Sequence, residues 1–325
     1  MLTNKYNLNL PMQVWLNHDN YDYVNDSKYI SATSLLKPIK QIVLAQRYQG
    51  EQEGDISDYI SSKYGTSIHA GIEEAWTSPK LKENLLKLGI NQATVDKIKV
   101  NPTKVEEGDI PVYLEQRFVR KLGDWVVGGK FDLIFDGKLM DNKSTSVWTY
   151  LYGSKVEDYT KQLSIYRWLN SDLVTNDYFT INYIFTDWSQ TKALQQDDYP
   201  KCRIVSKDYK LMELADTERM IKNKLDLIDK YSNVPDDSLP DCTDEELWRS
   251  PTVYKYYKNQ KKLTRATKVF DDYAQAAAYM NIEQGGKGIV IPVLGSVRRC
   301  SYCSCFNHCK QKDKYLANGS LECQS

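Results

Sequence analysis

The chain has 325 residues, 41% of them hydrophobic and 26% charged, the make-up of a soluble globular protein with room for a full core and a second small module. Its 43 basic residues balance 43 acidic ones, which excludes a global basic field; attraction to nucleic acid must come from local patches. No apolar run reaches membrane-spanning length, and the start Met1-Leu2-Thr3-Asn4-Lys5-Tyr6 lacks a signal-peptide pattern, so the expectation is a cytoplasmic protein without membrane contact. Tyrosine is abundant, 24 residues against 7 phenylalanines. Such tyrosines suit either a semi-exposed core periphery or surfaces that stack on bases.

Residues 1–100 read as mainly helical. Ser31-Ala32-Thr33 can cap a helix over Leu35 to Tyr48, and Asp55 to Trp76 carries a second helical periodicity. From Pro111 the pattern turns to strands, over Val112 to Val119, Trp125 to Phe135 and Lys138 to Ser144. A helix is predicted over Val156 to Leu169, strands near Tyr178 to Thr186 and Lys201 to Val205, and a long helix over Lys207 to Tyr231. These elements predict an α/β (α+β) core, a central mixed sheet flanked by helices, over residues 1–232. The polar, acidic stretch Asn233 to Glu246, with Pro235 and Pro240, reads as a linker. Residues 233–325 then form a small module: strands over Val253 to Tyr257, Ala266 to Phe270 and Gly288 to Val293, a helix over Asp271 to Met280, and a terminal cysteine cluster.

Chemistry concentrates at Asp136-Gly137, the signal for a two-residue hairpin turn. A turn centred there pairs residues whose numbers sum to 273, which sets Asp132 opposite Asp141 with Cβ atoms about 5 Å apart. Facing carboxylates repel unless a cation lies between them, and a hard divalent ion such as Mg2+ or Mn2+ takes oxygen ligands of this kind, including the Asn142 carbonyl. Strand alternation puts Lys143 on the same face as Asp141, where it can position or activate water and offset charge on phosphorus. Glu115, on the preceding strand, can add a ligand or face solvent. Gln162 and Tyr166, four apart on a predicted helix, share one face and can contact a phosphate or simply bond each other. His69, inside a helical pattern, can serve as a neutral nitrogen ligand or as a structural residue.

In order, His69, Glu115, Asp132, Asp141-Asn142-Lys143 and Gln162-Leu163-Ser164-Ile165-Tyr166 resemble the motif series of the PD-(D/E)XK nuclease superfamily. More narrowly they resemble its RecB-like exonuclease branch, over residues 65–170. The resemblance implies a restriction-endonuclease-like core. It also implies a metal held by His69, Asp132, Asp141 and the Asn142 carbonyl, with Lys143 catalytic and Gln162 and Tyr166 contacting DNA or ordering the site. Asp141 stands where glutamate is common, a replacement the superfamily tolerates; Glu115 is the least secure member of the metal set.

Seven cysteines in a cytosolic chain argue for metal or redox chemistry before disulfides. None precedes Cys202, and Cys300, Cys303 and Cys309 form C-x2-C-x5-C. Four thiolates suit zinc or a 4Fe-4S cluster. This triplet resembles that of phage and CRISPR-associated iron–sulfur exonucleases, which favours the cluster, although they take a fourth cysteine from upstream of the nuclease motifs. Here Cys242 is the expected fourth ligand, clasping the small module, with Cys202 and Cys305 as alternatives and His308 as a bystander.

From Pro251 to Phe270 six basic residues (Lys255, Lys258, Lys261, Lys262, Arg265, Lys268) meet no acid and interleave with Tyr254, Tyr256 and Tyr257, a pattern suited to single-strand contact or to a solvated hairpin. Arg298 and Arg299 can add phosphate contacts. The expected function is a Mg2+- or Mn2+-dependent DNA exonuclease acting on single strands or DNA ends. Its setting would be recombination, replication or repair in a bacterial or phage-infected cell, with recombination or helicase proteins as candidate partners. An endonuclease or nickase of the same chemistry and a non-catalytic DNA-binding module with a structural metal are the alternatives.

Overall fold

The computed structural model describes residues 2–19, 22–48 and 54–321. Contacts divide the chain into two units, Met1–Lys37 with Gln52–Asp226 and Pro38–Glu51 with Leu227–Ser325. The second unit thus includes 38–51, far in sequence from the module expected at 233–325. Among the described residues the first unit carries β1 (Tyr29–Ser31), β2 (Ile98–Val100), β3 (Ile110–Leu114), β4 (Arg117–Leu122), β5 (Trp125–Lys130), β6 (Leu133–Phe135), β7 (Lys138–Thr145), β8 (Tyr178–Phe185) and β9 (Ile204–Lys210). They form a mixed six-stranded sheet, β2-β3-β6-β7-β8-β9, and a three-stranded sheet, β1-β5-β4. With helices packed against them, this is the α+β class that the pattern predicts.

The turn between β6 and β7 sets the register of the larger sheet. Asp136 (φ 48°) and Gly137 (φ 77°) are both left-handed, as a type I′ turn requires, and Leu133 pairs with Met140, Ile134 with Leu139 and Phe135 with Lys138. The predicted sum of 273 holds at each pair. Any side chain at Gly137 would collide with Thr175, whose Oγ1 lies 2.2 Å from the position of a Cβ.

Two expected strands are each divided. Val112 to Val119 separates into β3 and β4 at Glu115 (φ 50°), and Trp125 to Phe135 into β5 and β6 at Phe131-Asp132. The ribbon keeps its register through the break: Leu114 pairs with Leu133, Arg117 with Lys130, and the Glu115 N–H donates to the Asp132 carbonyl at 3.0 Å. No residue is inserted, so one two-stranded ribbon bends from one sheet into the other. Glu115 and Asp132 face each other at the bend. Neither break carries a glycine or proline, so the sequence spells continuous strands.

The helix Ile60–Thr77 packs on β7, and Val156–Leu169 packs on β5. The second helix has its predicted bounds and buries Leu163, Ile165 and Trp168, each contributing about 1.5–3 kcal/mol. Its Tyr166 lies so close over β5 that a Cβ on Gly129 would come within 2.6 Å of the ring. Elsewhere the outcome departs from the sequence reading. The segment over Leu35 to Tyr48 is two helices, Ala32–Leu35 and Ile39–Arg47, because Pro38 cannot continue a helix and restricts Lys37; Ser31 caps the first, accepting from the Ser34 N–H. The expected helix over Lys207 to Tyr231 starts only at Leu214. Ile204–Lys210 pairs instead with β8, where the Tyr183 and Tyr209 hydroxyls meet at 2.8 Å and Asp208 accepts from Thr180 and Lys138.

The second unit holds an antiparallel sheet, β11-β10-β12, of β10 (Val253–Tyr257), β11 (Lys268–Phe270) and β12 (Ile289–Val293). Tyr254 and Tyr256 of β10 pack edge-on against Tyr273 and Tyr279, from the helix Tyr273–Ala278 and the wider turn Tyr279–Glu283 that extends it. Among the described residues no helix is long and apolar enough to cross a membrane.

Candidate metal centre

The bend and the hairpin together align acids across adjacent strands of the first unit. Glu115 faces Asp132 at the bend, and Asp132 and Asp141 lie one residue beyond Leu133–Met140, the pair that ends the β6–β7 ladder. Like charges in such a row destabilise a sheet unless cations join them. His69, on the helix Ile60–Thr77, supplies one. Its Nδ1 lies 3.3 Å from Asp132 Oδ1 and 3.7 Å from Glu115 Oε1, and its Nε2 is 2.9 Å from the Asn142 carbonyl oxygen. One ligand atom each from His69, Glu115 and Asp132 fall within 4.8 Å of one another, a spacing that fits a shared metal ion. Asp132 is held from behind, its Oδ2 accepting from the Asn142 N–H at 2.8 Å.

Asp141 and Lys143 lie next to this group on β7. Lys143 Nζ is 2.6 Å from Asp141 Oδ2, an ion pair without hydrogen-bond alignment, and that buried oxygen has no other hydrogen-bond partner. The surroundings tune each charge. Burial pulls the His69 imidazole down, but its hydrogen bonds to Asp132 and Glu115 outweigh that and lift it to about 10. Burial pushes the Asp141 carboxyl up against the pull of Lys143, with Asp132 adding to the rise. Burial also works against charge on Lys143, yet attraction to Asp141 and Asp132 holds its pKa above the usual lysine value. Lys143 is therefore an ammonium at neutral pH.

Two residues that the sequence reading did not single out belong to the centre. Lys130 Nζ lies 2.8 Å from Glu115 Oε2 and occupies that oxygen. Its place two residues before Asp132, hence on the same strand face, is the signal that could have found it. Tyr159 lies under Lys143, with the ammonium 5.4 Å from the ring centroid, and burial raises its phenol to about 12. Nothing local in the sequence marks it. Gln162 donates to the Tyr166 hydroxyl at 2.8 Å, so this pair is joined on the helix that covers Gly129 of β5.

In the second unit Cys242, Cys300, Cys303 and Cys309 line one small cavity of about 30 Å³ together with Cys305, Arg299 and Lys312. Gln311 grips the Cys242 backbone, accepting from its N–H at 2.8 Å and donating to its carbonyl at 2.9 Å. Burial raises the Cys242 thiol to about 12 and the Cys300 thiol to about 11. Cys305 Sγ reaches the Gln41 carbonyl, at 3.4 Å. Cys202 is exposed and outside the cavity, and His308 stacks on Tyr48 with centroids 3.9 Å apart. The basic stretch shows a division that its sequence conceals. Lys258, Lys261, Lys262, Arg265 and Lys268 are exposed, but Tyr256 and Tyr257 are buried and Tyr254 packs on Tyr273, so these rings serve the module core rather than a stacking surface.

No protein-family model matches the chain, and no curated protein matches it. Among solved structures it is similar to a crystal structure of SSO0001, at 18% identity and a TM-score of 0.41, over 66% of this chain and 83% of that one. It is also similar to a phage-related exonuclease from Haemophilus somnus 129PT, at 13% identity and a TM-score of 0.28, over 63% of this chain and 93% of that one.

Proposed function

We propose that the chain is a Mg2+- or Mn2+-dependent deoxyribonuclease of the PD-(D/E)XK type with a restriction-endonuclease-like core, cutting phosphodiester bonds in single strands or at DNA ends. The observation that carries this reading is the convergence of His69, Glu115, Asp132 and the Asn142 carbonyl beside the buried Asp141–Lys143 pair. The donor set fits a divalent ion: His69, Glu115 and Asp132 bring one ligand atom each within 4.8 Å of one another beside the Asn142 carbonyl, and Asp141, paired with Lys143, lies next to them. When bound, such an ion supplies Lewis-acid polarisation of the phosphodiester and lowers the pKa of water.

The protein groups divide the remaining work. Hydrolysis forms a bond from water oxygen to phosphorus, breaks a bridging P–O bond and leaves a proton on the departing oxygen. An ammonium has no lone pair to accept a proton, so Lys143 stabilises negative charge building on the phosphoryl oxygens. Tyr159 braces it from below. His69 and the Asn142 N–H hold Asp132 in one orientation, and Lys130 does the same for Glu115. Gln162 and Tyr166 keep the covering helix against β5.

In the second unit the cysteine-lined cavity supports Cys242, Cys300, Cys303 and Cys309 as the ligand set of a 4Fe-4S cluster, with zinc as the alternative. Visible absorbance and metal content of anaerobically purified protein separate the two. For the nuclease reading, linear and covalently closed circular DNA are incubated with Mg2+ or Mn2+ and either wild type or Asp132→Ala. Metal-dependent loss of linear DNA by wild type alone supports an exonuclease, and nicking of closed circles supports the endonuclease alternative. Intact DNA in every reaction leaves only a non-catalytic binding module.

A further inference from the structure

β7, which carries Asp141 and Lys143, ends at Thr145, and Ser146 caps the helix Val147–Tyr152 that follows it. Trp148 and Tyr152, four apart on this helix, stack with centroids 5.9 Å apart and planes within 17°. Both rings stay in solvent, 44% and 76% exposed. Single exposed aromatics are ordinary, but a stacked pair held open beside a cation is a surface with a shape. The cation is Lys192, whose Nζ lies 5.4 Å from the centroid of the Trp148 ring; no carboxylate among the described residues pairs with it. Lys192 belongs to the helix Gln190–Gln195, which follows β8. Because β7 and β8 are parallel, both helices start from the carboxyl edge of the sheet, the edge at which open sheets bind ligands. Trp148 lies five positions after Lys143, a span of at most about 18 Å.

We propose that Trp148 and Tyr152 form a stacking platform for an unpaired nucleobase of single-stranded nucleic acid, with Lys192 meeting the adjoining phosphate. The inference rests on the nuclease reading and gives it a substrate class. Every base has a π-face, so the platform is tolerant of sequence. A duplex keeps its base faces inside the stack, so the platform discriminates strandedness. Lys192 supplies the charge complement to the strand's phosphates, which a neutral apolar peptide would not need.

The test uses the full chain in EDTA, where hydrolysis plays no part. The probes are a labelled oligothymidylate of about 12 nucleotides, an abasic strand of equal charge and a hairpin duplex of similar length. Trp148→Ala and Tyr152→Ala are each expected to weaken oligothymidylate binding by about 5- to 150-fold while leaving abasic and duplex binding unchanged. Trp148→Phe should retain most of the affinity but lose the tryptophan quenching that oligothymidylate causes in wild type. Thermal melting confirms folding, and Tyr152→Ala, the more exposed of the two, decides alone if Trp148→Ala fails to fold. Wild-type oligothymidylate affinity in the folded alanine variants overturns the inference, as does an equal loss towards the abasic strand and duplex. Wild type that binds no nucleic acid of any form in EDTA overturns this inference, whereas failure to degrade any DNA with Mg2+ or Mn2+ overturns the nuclease reading; wild type that degrades DNA yet ignores both rings overturns this inference alone.

Discussion

Replacing His69 with glutamine removes the imidazole that Asp132 and Glu115 share, and the structure sets the size of the effect. With its pKa lifted to about 10, His69 carries a proton at neutral pH, and a metal ion must displace that proton to gain the nitrogen. At pH about 7, some three units below this pKa, displacement costs about 4 kcal/mol, and each unit of rising pH returns about 1.4 kcal/mol. Mn2+ affinity of wild type should therefore tighten about tenfold per pH unit between about 7 and 9, with close to one proton released per ion. Calorimetric titration in two buffers of different ionisation enthalpy measures both quantities. His69→Gln should bind more weakly at pH about 9, with a flat pH dependence and no proton release. The same proton affects stability in EDTA. A pKa raised above the unfolded value of about 6.5 stabilises the fold fully below that value, and the gain is lost as pH rises through about 10. A wild-type affinity without pH slope, or a slope that survives in His69→Gln, would refute the reasoning.

Three further outcomes follow from contacts around the two centres. Lys130→Gln removes a cation 2.8 Å from Glu115 and should tighten Mn2+ binding two- to fivefold, within the ~1 kcal/mol of a partly exposed ion pair; unchanged or weaker binding would deny the competition. Gly129→Ala places a Cβ 2.6 Å from the Tyr166 ring and 3.0 Å from Leu169 Cδ1, and should lower stability in urea by about 1–3 kcal/mol; an unmoved midpoint would show that the helix is not closely seated. Cys242→Ser should lose most bound iron or zinc and lower the melting temperature, while Cys202→Ser keeps both. Full metal content in Cys242→Ser would remove Cys242 from the ligand set.

Much of the centre was legible because its geometry is local. Asp136-Gly137 dictates a left-handed turn, and the turn dictates the register as far as Leu133–Met140, one residue short of Asp132 and Asp141. The Val156–Leu169 helix was legible from its apolar spacing and is buried along its length from Leu163 to Tyr166. The bend at Glu115 was not, because it turns the chain without breaking the cross-strand pairing, and a left-handed φ at a glutamate has no sequence signal. The strand expected near Lys201 to Val205 extends to Lys210, beyond its expected end, because its alternation there is largely solvated and runs close to a strongly helical segment. The place of Pro38–Glu51 in the second unit depends on contacts such as Lys40 Nζ to Asp241 at 2.6 Å, 201 residues apart, which no local pattern encodes. Lys130 and Tyr159 escaped for a similar reason, since each matters through what it touches in space.

Hydrolysis of DNA should need Lys143. A linear DNA strand labelled at its 5′ or 3′ end is incubated with Mg2+ or Mn2+ and either wild type or Lys143→Ala, with thermal melting to show that both are folded. Wild type should release short labelled products only when metal is present, and Lys143→Ala should leave the strand intact. Equal degradation by the two proteins, or none by metal-supplied wild type on any form of DNA, would contradict it.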